Sequence, residues 1–191
     1  ADDGTRQARV FIGPTTAADA PLADGTTVAL SQLTVRATEY TVGDAGATNM
    51  PGTLPAGSAY TYAVELSVDE AMAMNAVEVA FDRPVYTYVD NFLNFPVGEA
   101  VPSGYYDRRL AQWVGSENGR VIAVLGIESG LAQLDLDGDG SEDGAAARDL
   151  LGLTDAEREI IASQFAAGAQ LWRVPIRHFT PWALNWPGGP P

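Results

Sequence analysis

Short runs of β-branched and aromatic residues recur along the chain, each closed by glycine or proline, and this pattern limits the possible folds more than any other feature. In LTVRATEYTV, Leu33, Val35 and Ala37 alternate with Thr34, Arg36 and Thr38. That is the period of a strand with one buried face. ARVFIG (8–13), TTVALSQLTVRATEYTV (26–42), SAYTYAVELSV (58–68), AVEVAF (76–81) and PVYTYVDNFL (84–93) read as strands for the same reason. GDAGATNMPGTLPAG (43–57) is turn chemistry. DEAMAMN, between two strands, reads as one helical turn or a crossover. Asn118-Gly119 is a hairpin signal, because both residues tolerate the positive φ of a type I′ turn. Many strands of this length predict a mainly β chain folded as an antiparallel β-sandwich. No internal repeat is visible.

One segment breaks the pattern. LTDAEREIIASQFAAG places Glu157 three residues after Thr154, the spacing of a capping box. Ala156, Ile160, Ile161 and Phe165 then fall near one face, and Gly168 supplies a stop. The expectation is one amphipathic helix over 155–167, beside an acidic loop over 135–149, both inserted before a last strand, AQLWRVPIRHF. Residues 8–186 then form one module. Residues 1–7 and the Pro/Gly-rich 187–191 read as linkers, so the chain reads as a segment of a longer protein.

Charge narrows the function classes. Asp and Glu number 25 against 11 cations, all of them arginine, for a net charge of −14. Such a field repels a phosphate backbone, so nucleic acid is not the expected partner. Anionic membrane surfaces are disfavoured on the same ground, and no run of about 18 apolar residues is present to insert into a bilayer. The absence of lysine excludes Schiff-base chemistry, and the absence of cysteine excludes thiols and disulfides. A chain of 191 residues, 46% of them hydrophobic, needs no such staple to hold a core.

DLDGDGSEDG is the clearest chemical motif. Asp135, Asp137 and Asp139 recur at every second position, and Gly140 permits a sharp turn. Alternating carboxylates on a tight loop aim oxygens at a common centre, which suits a hard cation such as Ca²⁺. Ser141 would add a backbone carbonyl and Asp143 a direct or water-mediated ligand. The twelfth position, where an EF-hand carries a bidentate Glu, is Ala146; Asp149 lies three residues further and is the available substitute. The expected ligand set is Asp135, Asp137, Asp139, Ser141, Asp143 and Asp149, in a site weaker than a sensor EF-hand but filled at the millimolar Ca²⁺ outside cells. Without an ion the clustered carboxylates repel one another, so the expected role is structural. The bland alternative is a solvated acidic turn.

The only histidine sits in His178-Phe179-Thr180. A hydroxyl beside a scissile carbonyl, with a base to take its proton, is the minimum for backbone self-cleavage. Thr180 Oγ would attack the carbonyl of Phe179 with His178 as base. Pro181 argues against it by biasing Thr180 to an extended conformation. The plainer reading is a strand end, with Phe179 in the core and the two polar side chains bonded to a neighbouring loop.

Several long stretches resemble a module found in bacterial RHS/YD-repeat proteins, upstream of their repeat shell. They are LTVRATEYTVG, LPAGSAYTYAVELSVDEA, PVYTYVDNFLNFPVGEAVPSGYYDRRLAQWV, DLDGDG and LWRVPIRHFTPWALNWPGGPP, and the resemblance spans roughly 8–191. The early part is also similar to ZU5-like β-sandwiches, some of which end in His-Phe-Ser and self-cleave. VFIGPTTA and the pair Ala183-Leu184 depart from these patterns. The resemblance implies a non-enzymatic structural or interaction module in a large secreted or envelope polypeptide, whose partners are the other domains of that polypeptide. Two alternatives stay open. One is a carbohydrate-binding module using Trp113, Trp172, Trp182, Trp186 and Tyr105-Tyr106, against which stands ordinary aromatic packing. The other is an autoproteolytic domain cutting at Phe179–Thr180. A hydrolase acting on other molecules lacks every familiar motif: there is no G-x-S-x-G, no zinc pattern and no second histidine.

Overall fold

The alternating segments pair as antiparallel strands in two sheets facing each other, in a computed structural model that describes residues 6–43, 46–59 and 61–185. In chain order they are β1 (Ala8–Phe11), β2 (Ala18–Pro21), β3 (Thr27–Leu30), β4 (Val35–Glu39) and β5 (Tyr62–Val68), then helix α1 (Asp69–Ala73) and β6 (Val79–Asp90). There follow β7 (Ala100–Val101), β8 (Ser103–Asp107), β9 (Gln112–Gly115), β10 (Gly119–Glu128) and β11 (Leu131–Asp135). Helices α2 (Ala145–Leu150) and α3 (Asp155–Gln164) precede β12 (Gln170–Phe179) and β13 (Pro181–Leu184). The larger sheet runs β11-β10-β12-β6-β2-β3, with β1 on β6 and β7 on β10; the smaller runs β4-β5-β13-β8-β9. The sandwich predicted from sequence is therefore the fold.

The side-chain period sets the layers. On β5, Tyr62, Val64, Leu66 and Val68 are buried between the sheets, while Glu65 and Ser67 face outward. On β12, Trp172, Val174 and Ile176 enter the same core. Leu171, with Tyr88 of β6, faces the other way, under Ile161 of α3 and Leu153. Strands in the larger sheet are thus apolar on both faces, because helices cover the outer one. Trp172 is wholly buried, against Phe92, Phe95 and Tyr62, and its Nε1 donates to Asn91 Oδ1 at 2.8 Å. Truncating it to Ala costs about 3–5 kcal/mol in a site of this kind.

Several expectations need correction. AVEVAF and PVYTYVDNFL are one strand, β6, passing through Pro84. Proline fits because the ladder to β12 is broken there: Ile176 pairs with Val85 and His178 with Ala80, so Phe81 to Pro84 are the extra residues of an irregularity in β6 opposite the single Arg177. On the other side Pro84 falls between the pairings of β1 and β2. Asn118-Gly119 makes no hairpin, since β9 and β10 belong to different sheets. A Cβ on Gly119 would lie 2.4 Å from the Arg173 carbonyl oxygen, so this glycine serves a close approach to β12 rather than a turn. The type I′ position is Ser129-Gly130, with φ of 52° and 82°, which joins β10 to β11.

The helical part is larger than expected. DEAMA forms α1, and α2 fills the end of the acidic segment. The amphipathic helix stops at Gln164 rather than 167, because Phe165 is already extended at φ −129° and ψ 142°. Thr154 caps it by accepting from the Glu157 amide at 3.2 Å. Glu157 does not reach back, however, and Ile160 faces solvent while Ile161 is buried. Of the expected N-terminal linker, Arg6 and Gln7 are anchored: Arg6 pairs with Glu39 and lies over the Phe92 ring, and the Gln7 amide donates to Asp90. The expected linker at 187–191 and Trp186 lie outside the described residues.

Candidate metal loop and the His178 corner

The acidic loop starts where β11 runs out. Asp135 is the last strand residue and is buried. Its Oδ1 accepts from the amides of Asp137 (3.2 Å) and Gly138 (2.6 Å), and its Oδ2 from Gly140 (3.0 Å). Gly138 and Gly140 take positive φ, 89° and 81°. Gly138 also has to be small, since a Cβ there would sit 2.4 Å from the Val97 carbonyl oxygen. The loop closes when the Asp143 amide donates to Leu134 O and the Leu136 amide donates to Asp143 Oδ2, at 2.8 and 2.6 Å.

This wrapping brings one oxygen each of Asp135, Asp137 and Asp143 within 4.8 Å of one another. These three are the sequence-predicted residues that converge. Asp139 is exposed and accepts from the Ser141 amide at 2.7 Å; Ser141 is exposed, and Asp149 is an exposed residue of α2. Neighbouring cations are engaged elsewhere. Arg158 donates to Glu142 (3.1 Å) and Asp155 (3.0 Å), and Arg148 donates to the Asp143 carbonyl at 2.5 Å. Among the described residues no ion pair neutralises Asp135, Asp137 or Asp143. Three carboxylates with no cationic side chain between them form a donor set for a hard divalent ion.

A buried network ties the helices beyond this loop to the sheet. Glu157, 1% exposed, accepts from Arg173 Nε (2.7 Å) and Nη2 (2.9 Å) and from the Tyr88 hydroxyl. Arg173 stacks 3.6 Å from the Tyr86 ring centre and donates to Leu151 O at 2.9 Å. Burial and the Glu157 charge push the Tyr88 hydroxyl well above its ordinary value. Sequence reasoning assigned Glu157 to the helix cap and missed this role, because nothing local marks Arg173 as its partner.

At the other chemical motif, the chain crosses from the larger sheet to the smaller. Phe179 ends β12 in the core and Pro181 starts β13, so Thr180 is the corner. His178 Nδ1 lies 3.1 Å from Thr180 Oγ1. The imidazole is held by Tyr105, edge-on at 4.5 Å between ring centres, and by Trp182 at 5.2 Å, whose Nε1 donates to the His178 carbonyl at 3.1 Å. Burial holds the His178 pKa below its ordinary value, against the opposing pull of Glu78 and Asp107. Near neutral pH the imidazole is therefore neutral, and which atom donates in its Nδ1–Thr180 Oγ1 hydrogen bond is set by its tautomer. Left-handed non-glycine backbone occurs at Thr15, Asn75, Asn94, Ala111 and Ser129, not at this corner.

Among the described residues, the aromatics named for sugar binding are packed. Trp172 and Trp182 are buried, and Trp113 is half-buried with Nε1 bonded to Gly52 O at 3.1 Å. Tyr106 meets Trp113 at 68°, not in one plane. No helix among the described residues is long and apolar enough to cross a membrane. No protein-family model, no curated protein and no solved structure matches the chain.

Proposed function

We propose that the chain is a calcium-stabilised structural or interaction module of a large secreted or surface bacterial protein of the RHS type. The observation that carries the metal part is the convergence of Asp135, Asp137 and Asp143 with no cationic side chain paired to them. Carboxylate oxygens on an irregular loop suit Ca²⁺, which accepts variable geometry, better than Mg²⁺, which demands a near-ideal octahedron. A bound ion relieves the repulsion among the three aspartates, and α2 follows directly on the loop, so occupancy stiffens that end of the larger sheet. The extracellular setting and the RHS-type parent rest on the resemblance of the long stretches quoted above. The expected partners are the neighbouring domains of that parent.

Thermal unfolding in Ca²⁺ and in chelator tests the metal. A site filled at 100 times its Kd adds about 2.7 kcal/mol. Chelation is expected to lower the Tm, and Asp137→Ala to abolish the difference. An unchanged Tm in chelator overturns the reading.

One observation favours a second reading. The 3.1 Å approach of His178 Nδ1 to Thr180 Oγ1 supports self-cleavage at Phe179–Thr180. Oγ would attack the Phe179 carbonyl carbon, and the C–N bond would break as His178 passes the proton to the Thr180 nitrogen. Water would then hydrolyse the resulting ester. Because β13 lies between β5 and β8, the cut piece would stay bound until denaturation. Intact mass under denaturing conditions decides: a fragment ending at Phe179, absent from Thr180→Ala, supports cleavage, and a single full-length mass refutes it. The carbohydrate reading keeps no comparable observation.

A further inference from the structure

Thr180 lies where two cavities adjoin. One, of about 110 Å³, is lined by Tyr105, Asp107, Arg109 and His178. The other, of about 570 Å³, has a largely apolar wall that includes Val68, Met72, Val79 and Phe179. Val77, Glu78, Arg108 and Thr180 line both. A hydroxyl bonded to a neutral imidazole thus borders a space large enough for a small ligand. The break in the β6–β12 ladder, where Phe81 to Pro84 oppose only Arg177, directly precedes this pair.

We propose that this corner is a site of hydrolytic acyl transfer on small apolar carboxylic esters, with Thr180 as nucleophile and His178 as its base. The activity goes beyond the module reading and does not depend on the metal loop. The alcohol or acyl part of the ester lies in the larger cavity, its carbonyl against Thr180. Oγ1 attacks the carbonyl carbon while His178 Nδ1 takes the hydroxyl proton. The C–O bond to the alcohol breaks, and His178 returns the proton to the departing alkoxide. An acyl ester remains on Thr180. Water, deprotonated by His178, then attacks that ester; its carboxylic acid leaves and Thr180 regains its proton. No oxidant or cofactor enters the balance. Arg108 lines both cavities while its Nη2 is paired with Glu65 at 2.5 Å, so its remaining guanidinium donors are the cation nearest the developing carbonyl charge. Glu78 and Asp107 favour the imidazolium formed in each step. Tyr105 and Trp182 are positioning residues that hold the ring.

The same pair would serve self-cleavage, but the products differ. Self-cleavage severs the chain, whereas ester hydrolysis leaves it whole with a transient acyl group on Thr180. The test uses the full chain with p-nitrophenyl acetate and p-nitrophenyl butyrate, following nitrophenolate release, with peptide mapping after an acid quench. The expected result is turnover above buffer and an acetyl group on Thr180. Thr180→Ala should fall to background, Thr180→Ser should retain activity, and His178→Gln should lose about 100-fold or more. The wild-type rate should rise with pH through the His178 titration, which Glu78, Asp107, Arg108 and Arg109 all face. A wild-type rate equal to buffer, or an adduct confined to other residues, overturns the proposal. If Thr180→Ala fails to fold, the adduct position in wild type and the Thr180→Ser rate still decide.

Discussion

Replacing Arg173 by Ala tests the buried network most sharply. The variant leaves Glu157, 1% exposed, with the Tyr88 hydroxyl as its remaining donor from that network. Breaking a buried ion pair from one side costs about 3–5 kcal/mol, because the abandoned charge stays desolvated. Loss of the donation to Leu151 O adds a further ~1 kcal/mol. At about 2–4 °C per kcal/mol for a chain of this size, the Tm should fall by roughly 10–20 °C. Urea unfolding measures the loss. Arg173→Met combined with Glu157→Leu should recover most of the loss, since neither charge is then stranded. Equal midpoints for wild type and Arg173→Ala, or a double variant no better than the single one, would refute the argument.

Other expectations are simpler to check. His178 has a depressed folded-state pKa, so the unfolded chain binds its proton first as pH falls through about 6.5; stability should decline below that point, and His178→Gln should remove that part of the decline in melts from pH 7 to 5. Gly119→Ala should cost about 1–3 kcal/mol by urea midpoint, because its Cβ would meet backbone, while exposed Asn118→Ala should stay within about 0.5 kcal/mol. Thr154→Ala should cost about 1 kcal/mol through the lost cap of α3, and Thr154→Ser much less.

LTVRATEYTV forms β4 as a strand, but its expected buried positions Val35 and Ala37 are exposed on the sheet's edge. The alternation along SAYTYAVELSV was enough to read β5 and its buried face, because that face is written locally at a spacing of two. Thr154 was legible as a cap for the same reason, its acceptor lying three residues away. The metal loop was legible in part. Asp135 and Asp137 stand close in sequence, and the loop that folds Asp143 back onto them is short. The exposure of Asp139 and Asp149 was not legible, because it depends on where α2 begins.

Features that depend on distant partners escaped the sequence. Asn118-Gly119 carries hairpin chemistry, yet the chain changes sheets there, and the glycine answers to Arg173 across the ladder. Pro84 suggested a break, but the pairing with β12 skips Phe81 to Pro84, which oppose only Arg177, so β6 runs through the proline. Glu157 sat at a capping position, while its carboxylate found a stronger partner on β12. Sequence by itself determined the strand content, the acidic loop and the chemical identity of the corner residues. Only tertiary structure decided that His178 faces Thr180 beside a cavity and that Glu157 pairs with Arg173. Period and capping act within a few residues of chain, whereas pairing, burial and charge neutralisation are settled between segments that meet only when the sheets close.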